Sequence, residues 1–151
     1  MATWGEFATA SPALAEWGRK RFERARIGYL GTVGADGVPH ITPVAVVICQ
    51  DHLVLFLHPD SPKAENLRSS GVFALHSAVH DPSSAGGEFI VKGRATLVEN
   101  SDMRRQAIEN ACYTPPENTI MFELFVESAT ATEYDEGTAV KRNWAAPAPT
   151  A

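Results

Sequence analysis

Ile27-Gly28-Tyr29-Leu30-Gly31-Thr32-Val33-Gly34-Ala35-Asp36-Gly37-Val38-Pro39-His40-Ile41-Thr42-Pro43-Val44-Ala45-Val46-Val47-Ile48 is the stretch on which the fold turns. Residues 27–33 and 38–48 are rich in β-branched and aromatic side chains with strand periodicity. Between them stands Gly34-Ala35-Asp36-Gly37, whose glycines are free to take positive φ, so the stretch predicts a β-hairpin. Upstream the period changes. Leu14, Trp17, Gly18, Phe22 and Ala25 share one helical stripe while Arg19, Glu23 and Arg26 face away. Residues 11–26 therefore predict a helix, with Ser11 as its cap and Pro12 in the first turn.

Downstream the punctuation continues. Gln50-Asp51-His52 marks a turn before a strand at 53–58, and residues 62–70 read as a short helix followed by a strand at 72–79. Residues 80–87 are a Pro/Ser/Gly-rich loop. In the strand at 88–99, Phe89, Val91, Gly93, Ala95 and Leu97 alternate with Glu88, Lys92, Arg94 and Thr96. A helix at 101–113 ends before Pro115-Pro116, and a last strand covers about 120–134, with Phe122, Leu124 and Val126 on one side. The Ala/Pro-rich tail at 137–151 is expected to fray. Six strands with short links predict a mainly β antiparallel barrel with a few short helices, in a single domain over 1–151.

Composition narrows the function. The chain has 151 residues, 44% hydrophobic and 21% charged, which is ordinary for one globular domain. A net charge of −5 argues against a nucleic-acid partner. No run approaches the ~20 apolar residues of a membrane span, and no basic-then-apolar leader opens the sequence. Cys49 and Cys112 are too few for a disulfide framework, so the expected setting is the reducing cytoplasm.

The chemical signal sits in His58-Pro59-Asp60-Ser61-Pro62-Lys63-Ala64-Glu65-Asn66-Leu67. A strand ends, a serine stands at a cap position, proline follows, then lysine. Orphan N–H groups, the positive end of the helix dipole, a hydroxyl and an ammonium would converge there, as a terminal phosphate requires. By itself Ser-Pro-Lys is weak and favours the plainer reading of a capped helix with a solvated lysine.

Three segments together resemble the pyridoxamine 5′-phosphate oxidase-like, flavin-binding split barrels. They are Ala25 through His40, then Ile41-Thr42-Pro43-Val44, then Ser61-Pro62-Lys63 with Asn66-Leu67 and Val72-Phe73-Ala74-Leu75. The resemblance implies a six-stranded antiparallel split β-barrel, a homodimer with flavins between subunits, and FMN as cofactor. Deazaflavin and haem are the alternatives found in relatives. It implies that Ser61 and Lys63 hold the cofactor phosphate. His40, Ile41, Thr42, Pro43 and Val44 would follow the ring edge, Phe56 and Leu57 would underlie the ribityl chain, and Trp144, near Lys141 and Arg142, would stand beside the ring. Pro62 occupies the place where the pyridoxamine phosphate oxidases carry arginine, which points to a different small organic substrate.

Other features carry less. Gly28, Gly31 and Gly34 lie in a hairpin, not a strand-to-helix turn, so they make no dinucleotide loop. His76 and His80 lack a third ligand, so no metal site is expected. His58 adjoins the anion position and reads equally as a turn residue. Lys92 and Arg94, and the helix cations from Arg19 to Arg26, read as solvated faces. Phe122, Leu124 and the tail aromatics are the expected dimer contacts.

Overall fold

The computed structural model describes residues 1–80 and 86–149. In chain order its elements are α1 (Trp4–Ala10), α2 (Pro12–Ala25), β1 (Ile27–Val33), β2 (Pro39–Ala45), β3 (Val47–Cys49), β4 (His52–Leu57), α3 (Pro62–Ser69), β5 (Val72–Ser77), β6 (Glu88–Val98), α4 (Ser101–Asn110), β7 (Ile120–Asp135) and β8 (Thr138–Ala145). Every strand pair is antiparallel, in the order β2-β1-β5-β6-β7-β4-β3, with β8 added on β7. This is the mainly β antiparallel barrel that the strand periods predict, with eight strands where six are expected.

The differences have local causes. The expected strand at 38–48 breaks into β2 and β3 because Val46 N–H turns to donate to the Arg26 carbonyl (3.3 Å). Residues of the expected tail form β8, since Glu136 and Gly137 both take positive φ (46° and 83°) and reverse the chain. The unexpected α1 is nucleated by a capping box in which Glu6 N–H donates to Thr3 Oγ1 (3.1 Å) and Thr3 N–H donates to Glu6 Oε2 (3.2 Å). Ser11 does not cap α2 through its side chain. It closes α1 first, with its N–H bonded to Phe7 O (2.8 Å). Of the loop expected at 80–87, residues 81–85 lie outside the described residues.

The main core fills the barrel and its α1–α2 end. Phe89 is its hub, with ring contacts to Trp4, Trp17 and Phe22 at centroid distances of 6.4, 6.4 and 5.6 Å. Gly18 lets α2 approach this ring, because a Cβ there would stand 2.3 Å from it. Gly93 sits at the β6 bulge, where a Cβ would meet the Phe125 carbonyl at 1.8 Å. Phe122 and Leu124, the expected dimer contacts, are 1% and 0% exposed inside this core. Their alternation faces the chain's own barrel, so they cannot meet a partner. A second cluster of Val47, Cys49, Val54, Phe56 and Met121 packs under Ala107 of α4.

Candidate functional site

Of the sequence-predicted residues, His40 to Val44 lie on β2, and Ser61 and Lys63 lie at the start of α3. At the helix, Ser61 caps in extended conformation (φ −73°, ψ 148°), and its Oγ accepts the Ala64 N–H (3.3 Å). The same hydroxyl donates to the His58 carbonyl (2.7 Å), so its one proton is already used. Pro62 has no N–H, and Glu65 N–H reaches the Ser61 carbonyl. In the first turn this leaves the Lys63 N–H without a partner, and the Lys63 ammonium has none among the described residues either. Asp60 N–H donates to His58 Nδ1 (3.2 Å), which ties His58 into the turn.

One turn along α3, the buried Asn66 donates from Nδ2 to Thr32 Oγ1 of β1 (3.0 Å). Thr32 is the register partner of His40 in β2. A continuous path therefore runs from the lysine-bearing helix through Asn66 and Thr32 to His40, and it fixes α3 against the hairpin. Thr32 and Asn66 form no part of the sequence-derived site. The signal available for Asn66 is a polar side chain lying between the buried Ala64 and Leu67 on the core side of α3.

β2 terminates the sheet, and its edge is open. Gly34 N–H bonds the Val38 carbonyl (3.0 Å) at one end of the ladder, and Val46 N–H bonds that of Arg26 at the other. Antiparallel alternation between these anchors makes Thr32–His40, Leu30–Thr42 and Gly28–Val44 the bonded pairs. The peptide groups of Pro39, Ile41, Pro43 and Ala45 turn outward. Two of these are prolines, which suit an edge and blunt it against strand addition. Along the middle of the edge, the Ile41 N–H thus stands as a lone donor among the carbonyls of Pro39, Ile41 and Pro43.

The other face of β2 carries an anomaly. His40 Nδ1 and Thr42 Oγ1 are buried and have no hydrogen-bond partner among the described residues. Unpaired buried polar atoms are rare because each costs about 1–3 kcal/mol. His40 also borders a groove of about 560 Å³, most of whose lining (Gly31, Val33, Ile41 and Ala74) belongs to the opposite, outer face of β1, β2 and β5. That size lies within the usual range for cofactor pockets.

Other sequence-derived residues lie elsewhere. Pro43 is exposed and Val44 is in the core. Leu57 is also in the core, and Phe56 lies under α4, with the Arg104 guanidinium 5.2 Å from its ring centroid. Trp144 packs on Phe7 of α1 (centroids 4.9 Å apart), and Arg142 approaches Glu133 (3.7 Å) near Trp17. The tail aromatic and this cation are thus engaged with the N-terminal helices of their own chain. Lys92 and Arg94 are exposed, the latter 3.4 Å from Glu127. His76 Nδ1 donates to the Ser77 carbonyl (2.6 Å). Among the described residues, no three His, Cys, Asp or Glu side chains converge as a metal site would need.

Residues 15–133 match the family model described as pyridoxamine 5′-phosphate oxidase. Among solved structures, the chain resembles a haem-binding protein from Mycobacterium smegmatis (TM-score 0.65, 15% identity), covering 83% of this chain but only 57% of that one. It also resembles HutZ, a haem storage protein from Vibrio cholerae (TM-score 0.56, 18% identity, 78% and 89% covered). A third is a Clostridium acetobutylicum protein of the pyridoxinephosphate oxidase family, related to general stress protein 26 (TM-score 0.64, 13% identity, 82% and 89% covered). At these identities the likeness concerns the fold. No curated protein matches the chain. Among the described residues, no helix is long and apolar enough to cross a membrane.

Proposed function

Because the chain belongs to the pyridoxamine 5′-phosphate oxidase family, we propose that it is a flavin-binding oxidoreductase that holds FMN between the β2 edge and the start of α3. The observation that carries this reading is His40, which borders a groove of cofactor size and whose Nδ1 is orphaned, as is Thr42 Oγ1 two residues along the same strand. A ligand with polar groups at that face would relieve both.

The donor set fits the group. The Ile41 N–H can donate to one carbonyl of an isoalloxazine ring while a neighbouring outward carbonyl of β2 accepts the ring N–H beside it. The Lys63 ammonium and its own N–H supply charge and a donor for a phosphate at the helix start. FMN, when bound, supplies the hydride chemistry, and the chain supplies orientation and hydrogen bonds that tune the ring. Asn66 and Thr32 act as positioning residues, since they hold the helix and the strand at a fixed separation. Pro62 and the single lysine make a lean phosphate site. We therefore assign a small organic substrate other than pyridoxamine phosphate.

Family proteins commonly dimerise, and the exposed apolar residues support one face for this. Tyr29, Val33 and Ile41 are 40%, 38% and 71% exposed on the outer side of β1 and β2. We assign the homodimer contact to that face. Ile41→Lys should shift sedimentation toward monomer with secondary structure intact.

The test is reconstitution. Apo-protein titrated with FMN should give a saturable flavin spectrum with quenched fluorescence. Saturable binding of haem or a deazaflavin, with FMN left free, would replace this reading with one of those two cofactors.

A further inference from the structure

We propose that a cavity between the end of α2, the β2–β3 bend and the end of α4 is a second binding site, which takes a small apolar carboxylate with Arg26 as its anion receptor. The cavity measures about 240 Å³ and lies among Phe22, Arg26, Val46, Val47, Asn110 and Cys112. At about 30 Å³ per liquid water, that is room for roughly eight waters, or a compact organic acid. Phe22, Val46 and Val47 give it apolar walls.

Its charge is one-sided. Glu23 also borders the cavity, but its carboxylate is taken by Arg19 (2.5 Å). The Arg26 guanidinium has no ion-pair or hydrogen-bond partner among the described residues. Asn110 cannot serve as a further donor, because its Nδ2 is shared between Cys49 Sγ (3.3 Å) and the Gln106 carbonyl (2.8 Å). A guanidinium above apolar walls suits a carboxylate carried on a hydrocarbon body.

The backbone supplies the second observation. Arg26 ends α2 in the left-handed region (φ 63°, ψ −5°), held there by its N–H on the Phe22 carbonyl (2.8 Å) and its own carbonyl on Val46 N–H. Helices that end this way usually place glycine there, because a side chain is strained in that region. An exposed arginine kept at a strained position, bordering a cavity and left unpaired, fits a functional residue better than a stop signal.

Benzoate is a suitable probe, with benzyl alcohol as its uncharged counterpart. Benzoate should shift the amide resonances of residues 46–48 and 110–112 in the flavin-free protein and slow alkylation of the exposed Cys112 by iodoacetamide. Arg26→Gly should weaken benzoate about ten- to a hundredfold while raising the melting temperature by about 2–4 °C. Arg26→Lys should retain part of the affinity. The proposal is overturned if wild type and Arg26→Gly bind benzoate alike, if benzyl alcohol matches benzoate, or if saturating benzoate leaves Cys112 unprotected. None of these readouts involves FMN, so they stand or fall separately from the cofactor assignment.

Discussion

Thr42→Val isolates the cost of the orphaned hydroxyl on β2. The side chains are nearly the same size, so the substitution removes one polar atom and leaves the packing in place. Thr42 Oγ1 is buried without a partner, and such an atom costs about 1–3 kcal/mol relative to an apolar one. The apo-protein should therefore gain stability, raising its melting temperature by about 2–4 °C per kcal/mol for a chain of this size. If FMN satisfies that hydroxyl, the same free energy returns in binding with opposite sign. A loss of even 1 kcal/mol would lower FMN affinity about fivefold. Differential scanning calorimetry of apo-protein and fluorescence titration with FMN measure the two halves. A destabilised apo-protein, or a stabilised one with unchanged FMN affinity, would refute the reasoning that this atom waits for a cofactor.

Further outcomes follow from other positions. Asn66→Leu cuts the link to Thr32 and should weaken FMN several-fold while leaving circular dichroism intact. Gly93→Ala should be among the most destabilising small changes, by several kcal/mol in urea unfolding, because its Cβ would overlap the Phe125 carbonyl. Ser61→Ala removes a cap and should cost about 0.5–2 kcal/mol of stability, with a smaller effect on FMN than any change at Lys63. Burial pushes the Cys49 thiol up, so Cys49 stays protonated and uncharged at pH 8, while Cys112 is exposed. Ellman titration of native protein at pH 8 should therefore count one thiol quickly and the second after denaturation.

The barrel was legible because its strands and helices carry their own periods, as in residues 27–33 and 88–99. What escaped was set elsewhere. β8 has mostly exposed side chains and gains its order from pairing with β7, which a local reading cannot see. The capping box of α1 rests on Thr3 and Glu6 alone, a local signal of two residues three apart. Alternation in β7 showed that Phe122 and Leu124 share a face, but not that the face belongs to the chain's own core. At the proposed site, Lys63, Ile41 and Thr42 are the residues that motif and resemblance single out. The Asn66–Thr32 bond joins residues 34 apart and needs the fold to bring them together. The packing of Trp144 on Phe7 joins residues far apart in the chain and likewise needs the fold to bring them together.

The most direct test of the cofactor site is Lys63→Ala, read with FMN and riboflavin in parallel. Charge-assisted hydrogen bonds to a phosphate contribute about 1.5–3 kcal/mol each, so FMN should bind roughly ten- to a hundredfold more weakly. Riboflavin, which lacks the phosphate, should bind wild type and variant equally, and the fold should survive. An FMN affinity unchanged in Lys63→Ala would contradict the account, because the lysine would then be only a solvated residue at the start of a helix.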